Sequence, residues 1–346
     1  MRSNRSRWRL CLCGAGLVIL ILDTKTALVG MEQALDLCLH TVIPSLFPFL
    51  FLSNILSSQL IDQPIRLLKP INGICGIPTG AESIWILGIL GGYPVGAQLV
   101  YRAWHEGRIC ATDARRMLGF CSNAGPAFIF GIGSTLLPQN AIGLVWAIHI
   151  ISSLIVGTIL PRHKPGKFQN AYREKTALTK SLEESIRIQC MICGWVIIFR
   201  VIITFLKRWV LWLIPTQEAT MIIGILELTN GCVDLLNISQ CAFRFLFMAT
   251  FMGFGGICVG MQTASIAKNL GTGWYFPGKL LQGGISLLLA NGLQSFVFSE
   301  NETYYLPYAI LLPLFCFIVL YTICLHYKKT VAFHRIIMYN KKEVRM

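Results

Sequence analysis

Long apolar stretches follow one another along nearly the whole chain, and glycine and proline interrupt many of them. The stretches lie at roughly 42–60, 84–104, 117–136, 140–160, 188–214, 219–237, 241–267, 277–298 and 305–326. A membrane-spanning helix needs about 20 apolar residues. Only 13% of the 346 residues are charged, whereas a soluble domain carries about 25%. The sequence therefore predicts an all-α polytopic membrane protein, with about eight crossings on the apolar pattern.

The net charge of +14 lies mainly outside the apolar stretches. Basic residues precede the first stretch, fill the gap near the middle of the chain and follow the last stretch. Such residues mark the cytoplasmic side of a membrane and contact anionic lipid. They predict a multi-pass protein of the cell membrane, and they argue against a nucleic-acid partner.

These features divide the chain into five parts. The N-terminal part combines a basic region with a short apolar core, as an uncleaved signal anchor does. The predicted parts are a basic arm with a signal-anchor helix at 1–27, a first membrane repeat at 28–160, a basic cytoplasmic loop at 161–187, a second membrane repeat at 188–326 and a basic cytoplasmic tail at 327–346.

One Gly-rich octapeptide occurs twice, once in each half. The segments GGYPVGAQ at 91–98 and GGICVGMQ at 255–262 both read G-G-x-x-V-G-x-Q. Paired helix interruptions in the two halves of a transporter commonly form its substrate site. The same glycines could instead allow close packing of helices. Both interpretations remain open from the sequence alone.

The octapeptides supply the first group of candidate substrate-binding residues. Glycine leaves backbone N–H and C=O groups open to a ligand, and a glutamine side chain offers uncharged donors and an acceptor. The candidates are Gly91, Gly92, Gln98, Gly255, Gly256 and Gln262.

Charged and polar residues inside apolar stretches supply the second group. Arg200 either binds an anionic substrate or extends its charge to the membrane surface, because a charge at membrane depth is costly. Glu227 and Asn230 lie in a segment typical of a broken helix, where Glu227 could accept a coupling proton, bind Na⁺ or balance Arg200. Ser122 and Asn123 precede a Gly-Pro helix break, whose open N-terminus would favour an anion.

Catalytic motifs are missing from the sequence. It contains no G-x-S-x-G, phosphate-binding loop or H-E-x-x-H motif, and its cysteines are not accompanied by clustered histidines. We therefore expect no enzyme activity, no cofactor and no metal site.

Five segments together resemble the YlbJ-type sporulation integral membrane proteins, which carry the nucleoside-recognition Gate domain. They are TVIPSLFPFLFLSNIL, GGYPVGAQLV, GRICATDARRMLGFCSNAGPAFIFG, LELTNG and GFGGICVGMQ, within a resemblance that covers about residues 28–325. The resemblance implies an inverted-repeat transporter fold with re-entrant hairpins, related to concentrative nucleoside transporters. It also implies a place in the outer forespore membrane of endospore-forming bacteria.

The resemblance further implies transport of dipicolinic acid, a planar aromatic dicarboxylate, by alternating access. Expected partners are this small molecule, membrane lipid and a coupling proton or Na⁺, and the sequence leaves a homo-oligomer open. Two alternatives remain: a membrane scaffold that recruits other sporulation proteins without transporting anything, and a nucleoside permease.

Overall fold

The computed structural model describes residues 2–60, 66–162, 178–299 and 303, and all regular structure in these ranges is helical. The prediction of an all-α protein is confirmed for these residues. The apolar stretch at 305–326, the predicted tail at 327–346 and most of the predicted loop at 161–187 lie outside them. The described part of that loop includes residues 178–187, which already form the start of a long helix.

The N-terminal region is a succession of helices with little between them. Helix α1 spans Arg2–Leu22, α2 spans Thr24–Leu37 and α3 spans Ile43–Leu60. Asp23 caps α2, because its carboxylate accepts hydrogen bonds from the backbone N–H and the hydroxyl of Thr26, at 3.3 and 2.9 Å. A wide π-helical turn at Cys38–Val42 joins α2 to α3. The short helix α4, Lys69–Cys75, follows.

Two helical hairpins have glycine on their inner faces. In the first, α5 (Glu82–Gly91) turns into α6 (Val95–His105); in the second, α11 (Thr216–Leu226) turns into α12 (Leu228–Leu235) at Glu227. The arms of the second hairpin pack so closely that a Cβ on Gly231 would overlap the Cα of Gly224. Glycine is therefore required where the two backbones touch.

Two further helices are broken without folding back. Helix α7 (Ala111–Cys121) continues as α8 (Pro126–Leu136) after an unwound segment at 122–125, and α13 (Cys241–Phe254) continues as α14 (Gly256–Ala267) after Gly255. The second break needs glycine, since Gly255 and Gly256 have φ values of +79° and +78°.

Three uninterrupted helices complete the described structure. They are α9 (Gln139–Ile159), α10 (Leu178–Trp209) and α15 (Tyr275–Leu293). Within the described ranges, four segments are long and apolar enough to cross a membrane: Thr24–Leu56, Gln139–Ile159, Leu178–Trp209 and Cys241–Leu270. The structure thus agrees with a membrane protein whose remaining helices are shorter or less apolar.

Helices from the two halves run in opposite directions where they pack. Helix α10 lies antiparallel to α2 and α3, because Gly30 contacts Thr204 while Asn54, further along, donates to the Ser185 hydroxyl at 2.8 Å. Helices α8 and α13 are also antiparallel: Gly133 lies against Met248, and the following Leu136 accepts from Arg244. Each half contains, in this order, a long helical segment, a hairpin, a broken helix and an uninterrupted final helix. In the first half these are α2–α3, α5–α6, α7–α8 and α9. In the second half they are α10, α11–α12, α13–α14 and α15.

This order does not pair the two octapeptides, which the sequence suggested as matching helix interruptions in the two halves. Residues 91–98 form a hairpin tip and the start of α6, whereas residues 255–262 form the break before α14 and most of that helix. The two copies are therefore not at corresponding positions. In the order of elements, the first hairpin tip corresponds to Glu227, and the break at Gly255 corresponds to the unwound segment 122–125.

Candidate functional site

The four helix interruptions meet at one place in the interior, which we call the central site. A Cβ on Gly92, in the first hairpin tip, would lie 3.0 Å from the Gly125 nitrogen in the first break. Tyr93 of the same tip reaches the second break, where its hydroxyl donates to the Met252 carbonyl at 3.0 Å. A Cβ on Gly256 would lie 3.2 Å from the nitrogen of Leu228, which follows the second hairpin tip. All four interruptions thus form one contiguous structure.

A small cavity lies among them. Its volume is about 40 Å³, and its wall is mostly aliphatic and aromatic. The polar side chains that line it are those of Tyr93, Glu227, Thr229 and Gln262. A water molecule needs about 10–15 Å³ of such volume. The cavity therefore holds a few waters at most, and a larger molecule requires movement of the surrounding tips.

Glu227 is the buried acid of the central site, with an exposed fraction of 2%. Its carboxylate caps α12: it accepts from the Thr229 backbone N–H at 3.1 Å and from the Asn230 backbone N–H and side-chain amide at 2.7 and 2.6 Å. These donors compensate for the loss of water around a buried carboxylate. The chain breaks here because the side chain, rather than the preceding helix, satisfies the first N–H groups of α12.

Arg200 reaches the same acid indirectly. It donates to the Asn230 side-chain oxygen and, at 3.0 Å, to Gln33 on α2. Asn230 therefore lies between the guanidinium and the Glu227 carboxylate and bonds to both. The neighbouring basic residues have other acidic partners: Lys207 pairs with Asp234, and Arg208 pairs with Asp23. Arg200 itself does not line the cavity.

The two octapeptide glutamines have different surroundings. Gln262 lines the cavity, and its amide contacts the Cys258 sulfur at 3.6 Å. Gln98 instead donates to the Asn54 side chain at 3.0 Å, and Asn54 donates to Ser185. Gln98 thus joins α6 to α3 and α10 outside the cavity lining, although it lies only one turn from the first hairpin tip.

Ser122 and Asn123 lie in the first break and are fully buried. The Asn123 amide donates to the Phe120 carbonyl at 2.8 Å, which satisfies an acceptor at the end of α7. Its oxygen accepts from the Gln282 amide at 3.0 Å and lies 3.4 Å from the Lys279 ammonium. Asn123 therefore connects the break to α15, whereas the Ser122 hydroxyl has no hydrogen-bond partner among the described residues.

Sequence reasoning missed the polar face of α15. Lys279, Gln282 and Ser286 are each 0% exposed. Their spacing of three and then four residues places them on one side of a helix. That stripe, inside an otherwise apolar stretch, was the signal that could have identified them. Tyr93, between the octapeptide glycines and Pro94, was also missed.

Comparison with known proteins finds a relative among the sporulation membrane proteins. The chain is 25% identical over 301 residues to the sporulation integral membrane protein YlbJ of Bacillus subtilis (strain 168), and the match covers 73% of this chain and 74% of that protein. No protein-family model matches the chain. No solved structure matches it either. The similarity to YlbJ supports the resemblance to YlbJ-type proteins that the five sequence segments indicated.

Proposed function

We propose that this protein transports a small anionic aromatic metabolite, dipicolinic acid during endospore formation, by alternating access. The observation that carries the proposal is the convergence of four helix interruptions on one buried polar site. Irregular backbone deep in a membrane protein is tolerated where it is buried or lines a cavity, and transporters place their substrate sites there. A sporulation relative supplies the physiological setting, and the outer forespore membrane is the proposed location.

We further propose that the two halves are inverted repeats, in a fold related to concentrative nucleoside transporters and their Gate domain. Support comes from the repeated order of elements and from the opposite directions of α10 against α2–α3 and of α13 against α8. In alternating access, one repeat moves against the other around a fixed site. Re-entrant hairpins at α5–α6 and α11–α12 would then act as the two gates.

The small cavity fits a closed conformation of such a transporter. Sites for small molecules commonly have volumes of about 300–1,000 Å³, whereas this cavity has about 40 Å³. A planar dicarboxylate would enter when a hairpin tip moves away from the breaks. Glu227, capped but bordering the cavity, is the proposed site for a coupling proton or Na⁺.

The function is tested by measuring dipicolinic acid in spores of a strain that lacks this protein, and uptake by the purified protein in lipid vesicles. We expect low acid content in the deletion strain, restoration by the wild type, and accumulation in vesicles followed by terbium luminescence. Normal acid content in the deletion spores would contradict the proposal. If vesicles show no uptake and spores need the predicted tail for normal acid content, a scaffold is favoured. If uridine competes with dipicolinic acid for uptake, a nucleoside permease is favoured.

The two glutamines provide a matched pair of variants. Gln262→Ala removes a polar group from the cavity wall, so we expect uptake to fall about tenfold, the equivalent of about 1.4 kcal/mol of lost binding. Gln98→Ala removes a contact to Asn54 outside the cavity, so we expect a lower melting temperature with a smaller loss of uptake. Initial rates at matched protein level and thermal unfolding in detergent check both. Equal effects on uptake would contradict the different roles.

A further inference from the structure

A lysine is completely buried beside the central site. Lys279 has an exposed fraction of 0%. Its ammonium donates to the Gln282 side-chain oxygen at 2.6 Å, lies 3.4 Å from the Asn123 oxygen and faces the Tyr93 ring with 5.1 Å to the ring centre. Within the described part of the chain, none of these contacts is a carboxylate.

This arrangement is incomplete as a site for a permanent cation. Burying an ammonium group is unfavourable unless hydrogen bonds and an opposite charge replace the water. The amide oxygens of Asn123 and Gln282 and the face of Tyr93 replace part of that hydration. Replacing a buried charged group by an apolar residue of similar volume is often neutral or stabilising for the folded protein. Among the described residues that contact Lys279, none supplies a negative charge.

Tyr93 separates this lysine from the cavity. Tyr93 lines the cavity, of which Lys279 is not a lining residue, and the Tyr93 ring also faces the Lys279 ammonium. The ring is held at the second break by its hydrogen bond to the Met252 carbonyl and by close packing on Gly255. Because Tyr93 belongs to the tip of the hairpin α5–α6, any withdrawal of that tip removes the ring and joins the lysine to the cavity.

We propose that Lys279 is the anion-binding residue of the transport site and that Tyr93 covers it in the closed conformation. This inference rests on the proposed transport function and assigns its substrate class: a small molecule with a carboxylate. After the hairpin tip withdraws, the ammonium binds that carboxylate, while the Gln282 and Asn123 side chains hold Lys279 in place. Glu227, on the cavity wall, repels a carboxylate placed at its own side and so favours one orientation of the substrate.

The test compares two ligands of nearly equal shape, dipicolinate and its uncharged analogue pyridine-2,6-dicarboxamide. Their dissociation constants are measured for the full chain in lipid nanodiscs, as wild type, Lys279→Met and Lys25→Met. Lys25 is exposed on α2 and serves as the matched loss of one positive charge. We expect the preference for dipicolinate over the diamide to fall at least tenfold in Lys279→Met and to stay unchanged in Lys25→Met. Binding of the diamide itself should change little.

Two results would overturn the assignment while leaving transport intact: an unchanged preference in Lys279→Met, or equal losses for both ligands. If the wild type binds and transports no dipicolinate, the proposed function fails together with this inference. Reductive methylation of the wild type, mapped by mass spectrometry, decides the matter even if Lys279→Met does not fold. Dipicolinate should protect Lys279, Tyr93→Ala should speed its labelling, and labelling unaffected by either would overturn the proposal.

Discussion

Asn230→Leu is expected to abolish transport and to destabilise the protein by about 2–4 kcal/mol. Asn230 is fully buried, donates to Glu227 at 2.6 Å and accepts from Arg200. Leucine fills a similar volume but leaves the carboxylate with fewer donors and the guanidinium with fewer acceptors. Removing one partner of a buried charge costs more than the bond itself contributed, because the other group stays desolvated.

Thermal unfolding in detergent and vesicle uptake measure the two effects. Asn237→Leu is the control, since Asn237 follows α12 and is exposed; it should melt as the wild type does. A double-mutant cycle with Arg200→Leu adds a second check, because residues that share a hydrogen bond show coupling energies of about 0.5–3 kcal/mol. An Asn230→Leu protein with wild-type melting temperature would mean that Asn230 does not link the two charges.

Gly96→Ala is expected to disrupt the first hairpin. The added Cβ would overlap the Cys121 carbonyl oxygen at the end of α7 and press on the Ser122 backbone. Overpacking costs about 1–3 kcal/mol where side chains can adjust, and we expect a larger loss here because the obstructing atoms are backbone. To avoid this overlap, α6 would have to shift away from α7. We expect that shift to move the hairpin tip away from the second break and to lower uptake in any protein that still folds.

Gly143→Ala is the control for this substitution. Gly143 lies within α9, and a Cβ there meets no atom within 4 Å. Alanine is favoured over glycine in a helix by about 1 kcal/mol, so this variant should melt at or above the wild-type temperature. Equal melting temperatures for the two variants would contradict the close contact between α6 and α7.

The sequence predicted the helical architecture and the positions of the interruptions, because glycine, proline and asparagine inside apolar stretches have local consequences for the backbone. It did not distinguish a hairpin from a broken helix, since that depends on whether the next helix packs back. One local signal was present but unused: glycines lie at similar distances on both sides of each hairpin tip, at 88 and 96 and at 224 and 231. Small residues at similar distances before and after a hairpin tip allow the two helices of the hairpin to pack in contact.

Long-range pairing limited the prediction of the site. Glu227 and Asn230 could be selected because they are polar residues next to a helix break. Gln98 had the same local features, yet it bonds to Asn54, which lies in another helix and carried no distinguishing pattern. Lys279 belongs to the polar stripe on α15 that the sequence contains, but the sequence does not show whether such a stripe faces protein, water or the membrane surface. The packing of α15 against α7, α9 and α13 shows that the stripe is enclosed by protein.

The tight closure of the central site has a consequence for the energy supply of the cell. Protons cross membranes readily along files of connected water, and a membrane that leaks them loses its electrical potential. A cavity of about 40 Å³ has room for only a few waters, too few to form such a file through the central site as the described residues build it. If the protein is the transporter proposed above, a central site closed in this way conducts no protons while the protein waits for its substrate in an energised membrane.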